Sequence, residues 1–299
     1  MSDTGLDRAG PGAGGTAPGG GSRERLSAWD GTSVDELAAG WGAPLVEAYA
    51  SIGSTNDRAA ELAATGAAAY TVVLADEQTA GRGRRGARWW SPPGHGLLMS
   101  VVVRSGGAAD VPVVAPSGAG AAGGAGGNCL PLVVGLSVAE AVERLVPEAD
   151  VRVKWPNDLL LGGRKLGGIL CEASGDTVVV GIGLNLLRPA ATGPDPVMEL
   201  ATSLEEEGFN MPLRKDLAAE VLGRIRAWIE EGAGALTPGA HAALRARDAL
   251  LGRRLRTLDH GEGWGRGIGR DGALLVELPD GAHVRMVAGS VSLVGSVSR

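Results

Sequence analysis

Two short segments of this 299-residue chain concentrate the residue types that handle anions. In Gly81-Arg82-Gly83-Arg84-Arg85-Gly86, glycines let backbone N–H groups approach an anion closely, and guanidinium groups offer paired donors to phosphate or carboxylate. Trp89 and Trp90 follow, flat faces on which a planar ring can stack. The spelling satisfies G-x-G-x-x-G. However, Trp89-Trp90-Ser91-Pro92-Pro93-Gly94 cannot continue as a helix, so the dinucleotide fingerprint fails on context, and the Gly-Lys-Ser/Thr ending of a P-loop is missing. Alone, the segment also fits a solvated arginine-rich turn.

The second segment runs from Lys154-Trp155-Pro156-Asn157-Asp158 to Arg164-Lys165-Leu166-Gly167-Gly168-Ile169. Lys154, Lys165 and Lys215 are the only lysines among 28 basic residues. A compact ammonium beside phosphates stabilises developing negative charge, and a carboxylate within reach orients the lysine or takes Mg2+. Lys154, Asp158 and Lys165 converge if Asn157-Asp158 turns a hairpin. The plain alternative is a surface Asp–Lys pair worth under ~1 kcal/mol. A third segment, Gly181-Ile182-Gly183-Leu184-Asn185, ends an apolar strand, where glycine marks either a close approach or a bulge.

These segments need elements to hold them. Ser54 and Asp57 have capping-box spacing and open a helix that Gly66 closes. Residues 70–75 and 97–104 read as strands and 130–146 as a helix. Residues 151–155, 159–161, 168–173 and 177–186 read as short strands of an antiparallel meander. Residues 214–230 and 241–251 read as helices, and 33–39 as a short helix in an otherwise mixed stretch. After Gly252, five short strands between Gly and Asp-Gly turns make a small all-β module that closes as a barrel. Residues 1–22 and 105–128 hold 8 glycines each and read as a disordered tail and a flexible insertion.

A hydrophobic fraction of 44% with 21% charged residues suits a soluble globular protein. The net charge of −6 argues against a large nucleic-acid footprint, and no apolar run reaches the ~18–20 residues of a membrane span. Cys129 and Cys171 form no metal-ligand pattern and read as buried free thiols, which points to a reducing, cytoplasmic setting.

In order along the chain, the segments resemble those of biotin protein ligases. The matching pieces are Ser54-Thr55-Asn56; Glu77-Gln78-x-x-Gly81-Arg-Gly-Arg-Arg-Gly86; Trp89-x-Ser91-Pro92-x-Gly94-x-x-Leu97-x-x-Ser100; Lys154-Trp-Pro-Asn-Asp158; Arg164-Lys165-Leu166-x-Gly168-Ile169-Leu170-x-Glu172; and Gly181-x-Gly183-x-Asn185. Six such pieces in order are specific where each alone is weak. The resemblance implies an α+β fold with a mixed-sheet, class II synthetase-like catalytic domain over residues 23–251. A small SH3-like β-barrel over 252–299 follows. It implies an enzyme that joins biotin and ATP, with Mg2+, into biotinyl-5′-adenylate and passes biotin to a lysine of a biotin carboxyl carrier domain.

By position, Ser54, Thr55, Asn56 and Gln78 resemble the residues that bind biotin, with Gly168 beside them. Arg82, Gly83 and Arg84 resemble the loop that covers biotin and the adenylate. Trp89 resembles the adenine-stacking residue. Lys165 resembles the lysine between the biotin carboxylate and the α-phosphate, the main catalytic candidate, with Arg84 and Asp158 as further catalytic candidates. Lys154, Asn157 and Asn185 fall on the nucleotide side with Arg84, Trp89 and Lys165; Gly183 falls on the pocket lining. Asp158 is the candidate for Mg2+. The resemblance also implies a monomer or weak homodimer that binds neither nucleic acid nor membrane. Two departures stand out. Ala87 sits where many relatives continue the basic run, and residues 23–50 leave no room for the DNA-binding module some relatives carry. A lipoate ligase shares the fold and is one alternative reading. A non-catalytic biotin-responsive regulator is the other, and it predicts a DNA-binding module and a lost lysine.

Overall fold

The computed structural model describes residues 23–104, 129–188, 201–232 and 236–295. The expected tail and insertion, residues 1–22 and 105–128, lie outside them. The chain opens with three short strands, β1 (Glu24–Leu26), β2 (Ala28–Trp29) and β3 (Thr32–Ser33), and helix α1 (Val34–Trp41). It continues through β4 (Val46–Ile52), α2 (Thr55–Ala64), β5 (Val72–Gln78), β6 (Gly96–Arg104) and α3 (Cys129–Leu145). The meander β7 (Arg152–Lys154), β8 (Asp158–Leu161), β9 (Arg164–Ser174) and β10 (Thr177–Asn185) follows, then α4 (Arg214–Glu231) and α5 (Pro238–Arg247). Five strands end it: β11 (Arg254–Thr257), β12 (Gly261–Ile268), β13 (Leu274–Glu277), β14 (His283–Met286) and β15 (Val291–Leu293).

The fold is mixed α+β. One sheet has eight strands in the order β1-β4-β5-β6-β10-β9-β8-β7. Only β4 and β5 run parallel, joined through α2 as a β-α-β unit; such a crossover needs a helix, whereas the antiparallel meander needs only tight turns. The other sheet is antiparallel, ordered β14-β13-β12-β11-β15.

Period-two alternation divides the large sheet into two faces. On β6, Leu97, Met99, Val101 and Val103 join the main core with α3 and α4, while Leu98 and Val102 face a smaller core under α2. On β10, Val178, Val180, Ile182 and Leu184 face the main core. That leaves Gly181 and Gly183 on the α2 face with Val179. Ile169 of β9 is in the main core, so Gly168, Leu170 and Glu172 also fall on the α2 face. The registers pair Gly181 with Ser100 on β6 and with Leu170 on β9, and Gly183 with Leu98 and Gly168. Ser100, Gly181, Gly183 and Gly168, small residues on three neighbouring strands, therefore hollow one face of the sheet.

Several expected boundaries shift. Strand β4 lies in the stretch read as mixed, because buried Glu47 interrupts its apolar pattern. Helix α5 begins at Pro238 behind Thr237, whose hydroxyl accepts from the Ala240 N–H, rather than at His241. Ser33 and Glu36 close a reciprocal capping box on α1. On α2 Ser54 caps weakly, at 3.5 Å from the Asp57 N–H, and the Asp57 carboxylate turns elsewhere. Among the described residues no helix is long and apolar enough to cross a membrane.

Candidate active site

The hollow face opens as a cleft of about 1350 Å³, bounded by α2, the glycine-rich loop, the β7–β8 turn and part of the C-terminal sheet. All the residues singled out from the sequence line it: Ser54, Thr55, Asn56, Gln78, Arg82, Gly83, Arg84, Trp89, Lys154, Asn157, Asp158, Lys165, Gly168, Gly183 and Asn185. A cleft above the ~300–1,000 Å³ of ordinary small-molecule pockets has room for two substrates.

One end is lined mainly by neutral polar side chains. Thr55 begins α2 just beyond the carboxyl end of β4, and Gln78 ends the neighbouring parallel strand. The Thr55 N–H donates to Gln78 Oε1 at 2.8 Å, and the Thr55 hydroxyl lies 3.1 Å from the same oxygen. Buried Ser100 places its hydroxyl 2.8 Å from Thr55 Oγ1 and 2.6 Å from Asn56 Oδ1. Asn56 in turn donates to Glu172 at 2.7 Å. Asn56 fits only because Gly181 has no side chain: a Cβ there would run into its amide. Donors and acceptors fixed in an otherwise apolar wall orient a small neutral ligand.

The other end is cationic. The β7–β8 turn brings Lys154, Asn157 and Asp158 to the cleft, and β9 presents Lys165. Asp158 Oδ1 lies 2.6 Å from Lys165 Nζ, and Oδ2 lies 3.4 Å from Lys154 Nζ. Two ammonium groups share one carboxylate, leaving a net positive charge. Asn157 donates to the Ile169 carbonyl and accepts from Arg84 Nη1 at 3.1 Å. Asn185 is held by the Thr202 carbonyl at 3.0 Å, and the Thr202 N–H donates to the Lys165 carbonyl at 2.8 Å. Thr202 lies in a stretch the sequence left unassigned, yet it fixes both of these site residues.

Trp89 forms the floor between the two ends. Its ring packs so tightly on β10 that a Cβ on Gly183 would overlap it, and Lys165 Nζ sits 5.9 Å from the ring centroid. Trp89 Nε1 is buried without a hydrogen-bond partner.

Three arginines tether the glycine-rich loop. Gly83 N–H to the Ala87 carbonyl and Trp89 N–H to the Gly81 carbonyl close it on itself. Arg82 reaches Asp57 at 2.6 and 2.8 Å and Glu172 at 3.2 Å; Arg84 reaches Asn157; Arg85, at φ 57°, donates to Ser290 at 2.8 Å. Bonding to Asp57 raises the Arg82 guanidinium above its ordinary value. Burial, reinforced by the Arg85 charge, lowers that of Arg84. Burial also pushes the Cys171 thiol up to about 12, so it remains a thiol and offers no nucleophile. Asp57 and Glu172, the partners of Arg82, were absent from the candidates read in the sequence. Asp57 passed as a helix cap, and Glu172 stood in a motif without a role. Among the described residues no three His, Cys, Asp or Glu side chains gather as a metal cage.

A site at the carboxyl ends of a parallel pair, with one neutral polar end and one cationic end, belongs to an enzyme that brings a small molecule to a phosphate compound. Residues 48–185 match the biotin/lipoate A/B protein ligase family. The biotin–[acetyl-CoA-carboxylase] ligase of Mycobacterium tuberculosis is 37% identical over 263 residues, covering 85% of this chain and 91% of that protein. The biotin protein ligase of Aquifex aeolicus, solved with biotin and ATP, superposes with a TM-score of 0.66 at 28% identity over 83% of this chain and 97% of that one. The Leishmania major biotin protein ligase with biotinyl-5-AMP gives 0.54 at 26% identity, covering 82% and 99%. The chain belongs to the biotin/lipoate A/B protein ligase family, and it is a ligase.

Proposed function

We propose that the protein activates biotin with ATP and transfers it to a lysine of a biotin carboxyl carrier domain, such as that of an acetyl-CoA carboxylase. The observation that carries this is the pairing, in one cleft, of the Thr55–Gln78–Ser100 polar notch with the Lys154–Asp158–Lys165 cluster. The notch suits the neutral ureido ring of biotin, whose carboxylate then extends toward Lys165. The relatives' complexes with biotin, ATP and biotinyl-5-AMP support that direction.

In the first step a biotin carboxylate oxygen attacks the α-phosphorus of ATP, and pyrophosphate leaves with the bonding pair. Lys165 lowers the repulsion between the two anions and supports the charge of the pentavalent transition state. Arg84 and Lys154 add positive charge, Asn157 holds Arg84, and Asp158 holds both ammonium groups in place. Asp158 is the carboxylate that would meet Mg2+ accompanying ATP, and the ion would supply further positive charge to the phosphates. Trp89 and Asn185 receive the nucleotide. In the second step the carrier lysine attacks the acyl carbon, an amide forms and AMP departs. Arg82, Gly83 and Arg84 cover the mixed anhydride and exclude water meanwhile.

Ser54, Asn56 and Gly168 complete the biotin end. In this reading residues 23–251 are the catalytic unit, and 252–299 form an SH3-like barrel that walls one side of the cleft. The test is incubation of the purified protein with ATP, Mg2+, biotin and a carrier domain, read by intact mass. One added biotinyl group per carrier is expected. No gain with biotin, or a gain only when lipoate replaces it, overturns the proposal.

A further inference from the structure

The two capping sites of this protein make an internal comparison. On α1, Ser33 accepts from the Glu36 N–H, and Glu36 returns a bond to the Ser33 N–H at 3.1 Å. Asp57 holds the same position on α2, three residues after the capping serine, but its carboxylate does not return. It receives both terminal nitrogens of Arg82, at 2.8 and 2.6 Å. The same guanidinium reaches both oxygens of Glu172 on β9 at 3.2 Å, and Glu172 also accepts from Asn56. A fork-on-fork pair has more directionality than a point charge contact. Here it joins the glycine-rich loop to the first turn of the helix that carries Ser54, Thr55 and Asn56. It also gathers two acidic side chains on one loop arginine, at the rim of the cleft.

We infer that Asp57 is a positioning residue: through Arg82 it holds the glycine-rich loop shut over the biotin end, with Glu172 as the second jaw, and so sets how long the activated intermediate is retained. The Asp57 carboxylate bonds to Arg82 of the loop, so its charge reaches the chemistry through the loop. The pair is exposed, the Arg82 side chain by 39% and that of Asp57 by 52%. Bulk salt therefore screens it, and the latch is weak enough to open in each turnover.

The inference rests on the reading under Proposed function, and the test separates the two. Full-length protein and Asp57→Asn are given biotin and Mg-ATP without carrier. Burst pyrophosphate release reports adenylate formation, and the steady rate that follows reports escape and hydrolysis. Expected is a burst rate within about twofold of the parent and a steady escape rate about two- to fivefold higher, the range exposed ion pairs command. Biotin KM rises while kcat of the first step holds. Asp57→Glu, which keeps the carboxylate, restores most of the retention. In the parent, escape rises between low and high salt; in Asp57→Asn, which keeps only the Glu172 contact, it rises less. A parent with no biotin-dependent burst sinks the proposed function. A normal burst, with Asp57→Asn escaping no faster and keeping the parent's salt response, overturns the latch. A variant that loses burst and escape together has lost the site's structure, and Asp57→Glu then decides: retention at the parent level upholds the latch, and loss there too rejects it.

Discussion

Asp158 lies 2.6 Å from the Lys165 ammonium, across the β8–β9 hairpin, while its other oxygen faces Lys154. One carboxylate thus keeps two like charges side by side. Lys165→Ala is expected to fold and to lose adenylate formation by about 10²–10³-fold, as when one preorganised donor is removed. Asp158→Asn leaves the two ammonium groups without their counter-charge and should lower the same step by about tenfold or more. Pyrophosphate release on adding biotin and ATP measures both. Release at the parent rate in Lys165→Ala removes that lysine from the chemistry.

Gly183→Ala tests the floor. The added methyl overlaps the Trp89 ring, which must tilt away from β10. Overpacking of this kind costs about 1–3 kcal/mol, small enough for the fold to survive. The ATP KM should rise about tenfold while binding of biotin alone, by calorimetry, changes little. Equal losses for both ligands would mean that Trp89 serves the whole cleft and not its nucleotide side.

Arg84→Gly cuts the tie from the loop to Asn157. The variant should form adenylate and release it early, so that lysines on bystander proteins become biotinylated. Labelling that stays confined to the carrier lysine would refute a covering role for Arg84.

A buried charge outside the cleft, Glu47, supplies a pH test. Glu47 is almost fully buried; burial alone would raise its carboxyl, but bonds from Arg58 at 2.7 Å and from the Tyr49 hydroxyl at 2.8 Å outweigh it and hold it below the ordinary value. A depressed carboxylate contributes stability above its unfolded value of about 4.3, and that contribution disappears as pH falls through the lower folded value. Glu47→Gln should therefore be less stable than the parent at pH 7 by about 1–3 kcal/mol. The gap should close below about pH 4. Urea unfolding at both pH values reads it. A gap independent of pH would assign the loss to packing.

The cleft was legible in the sequence because its residues sit in short contiguous runs: Ser54–Asn56, the glycine-rich loop, the lysine hairpin and the Gly-x-Gly strand. Strands β6 and β10 were legible too, since each is a short apolar run rich in Val and Leu. What escaped depends on distant pairing. Glu172 lies 90 residues from Arg82, and Thr202 lies 17 from Asn185 and 37 from Lys165 in an unremarkable stretch. Strand β4 escaped because a buried Glu47, satisfied by Arg58 and Tyr49, looks polar until its partners are known. Asp57 was misread for the opposite reason: its local spacing fits a cap so well that the distant arginine went unsuspected.

Trp155 stands next to Lys154, fully buried, with its indole N–H donating at 2.9 Å to the carbonyl of Gly272, in the turn between β12 and β13. The turn that carries Lys154 and Asp158 is thus plugged into the C-terminal unit by a buried indole. The two halves are therefore expected to melt in one transition, which calorimetry reads: peeling the C-terminal strands away would bare an indole and orphan its donor at the very turn that bears the charge. What reads along the chain as an appended module is a wall against which the hairpin beside it is braced.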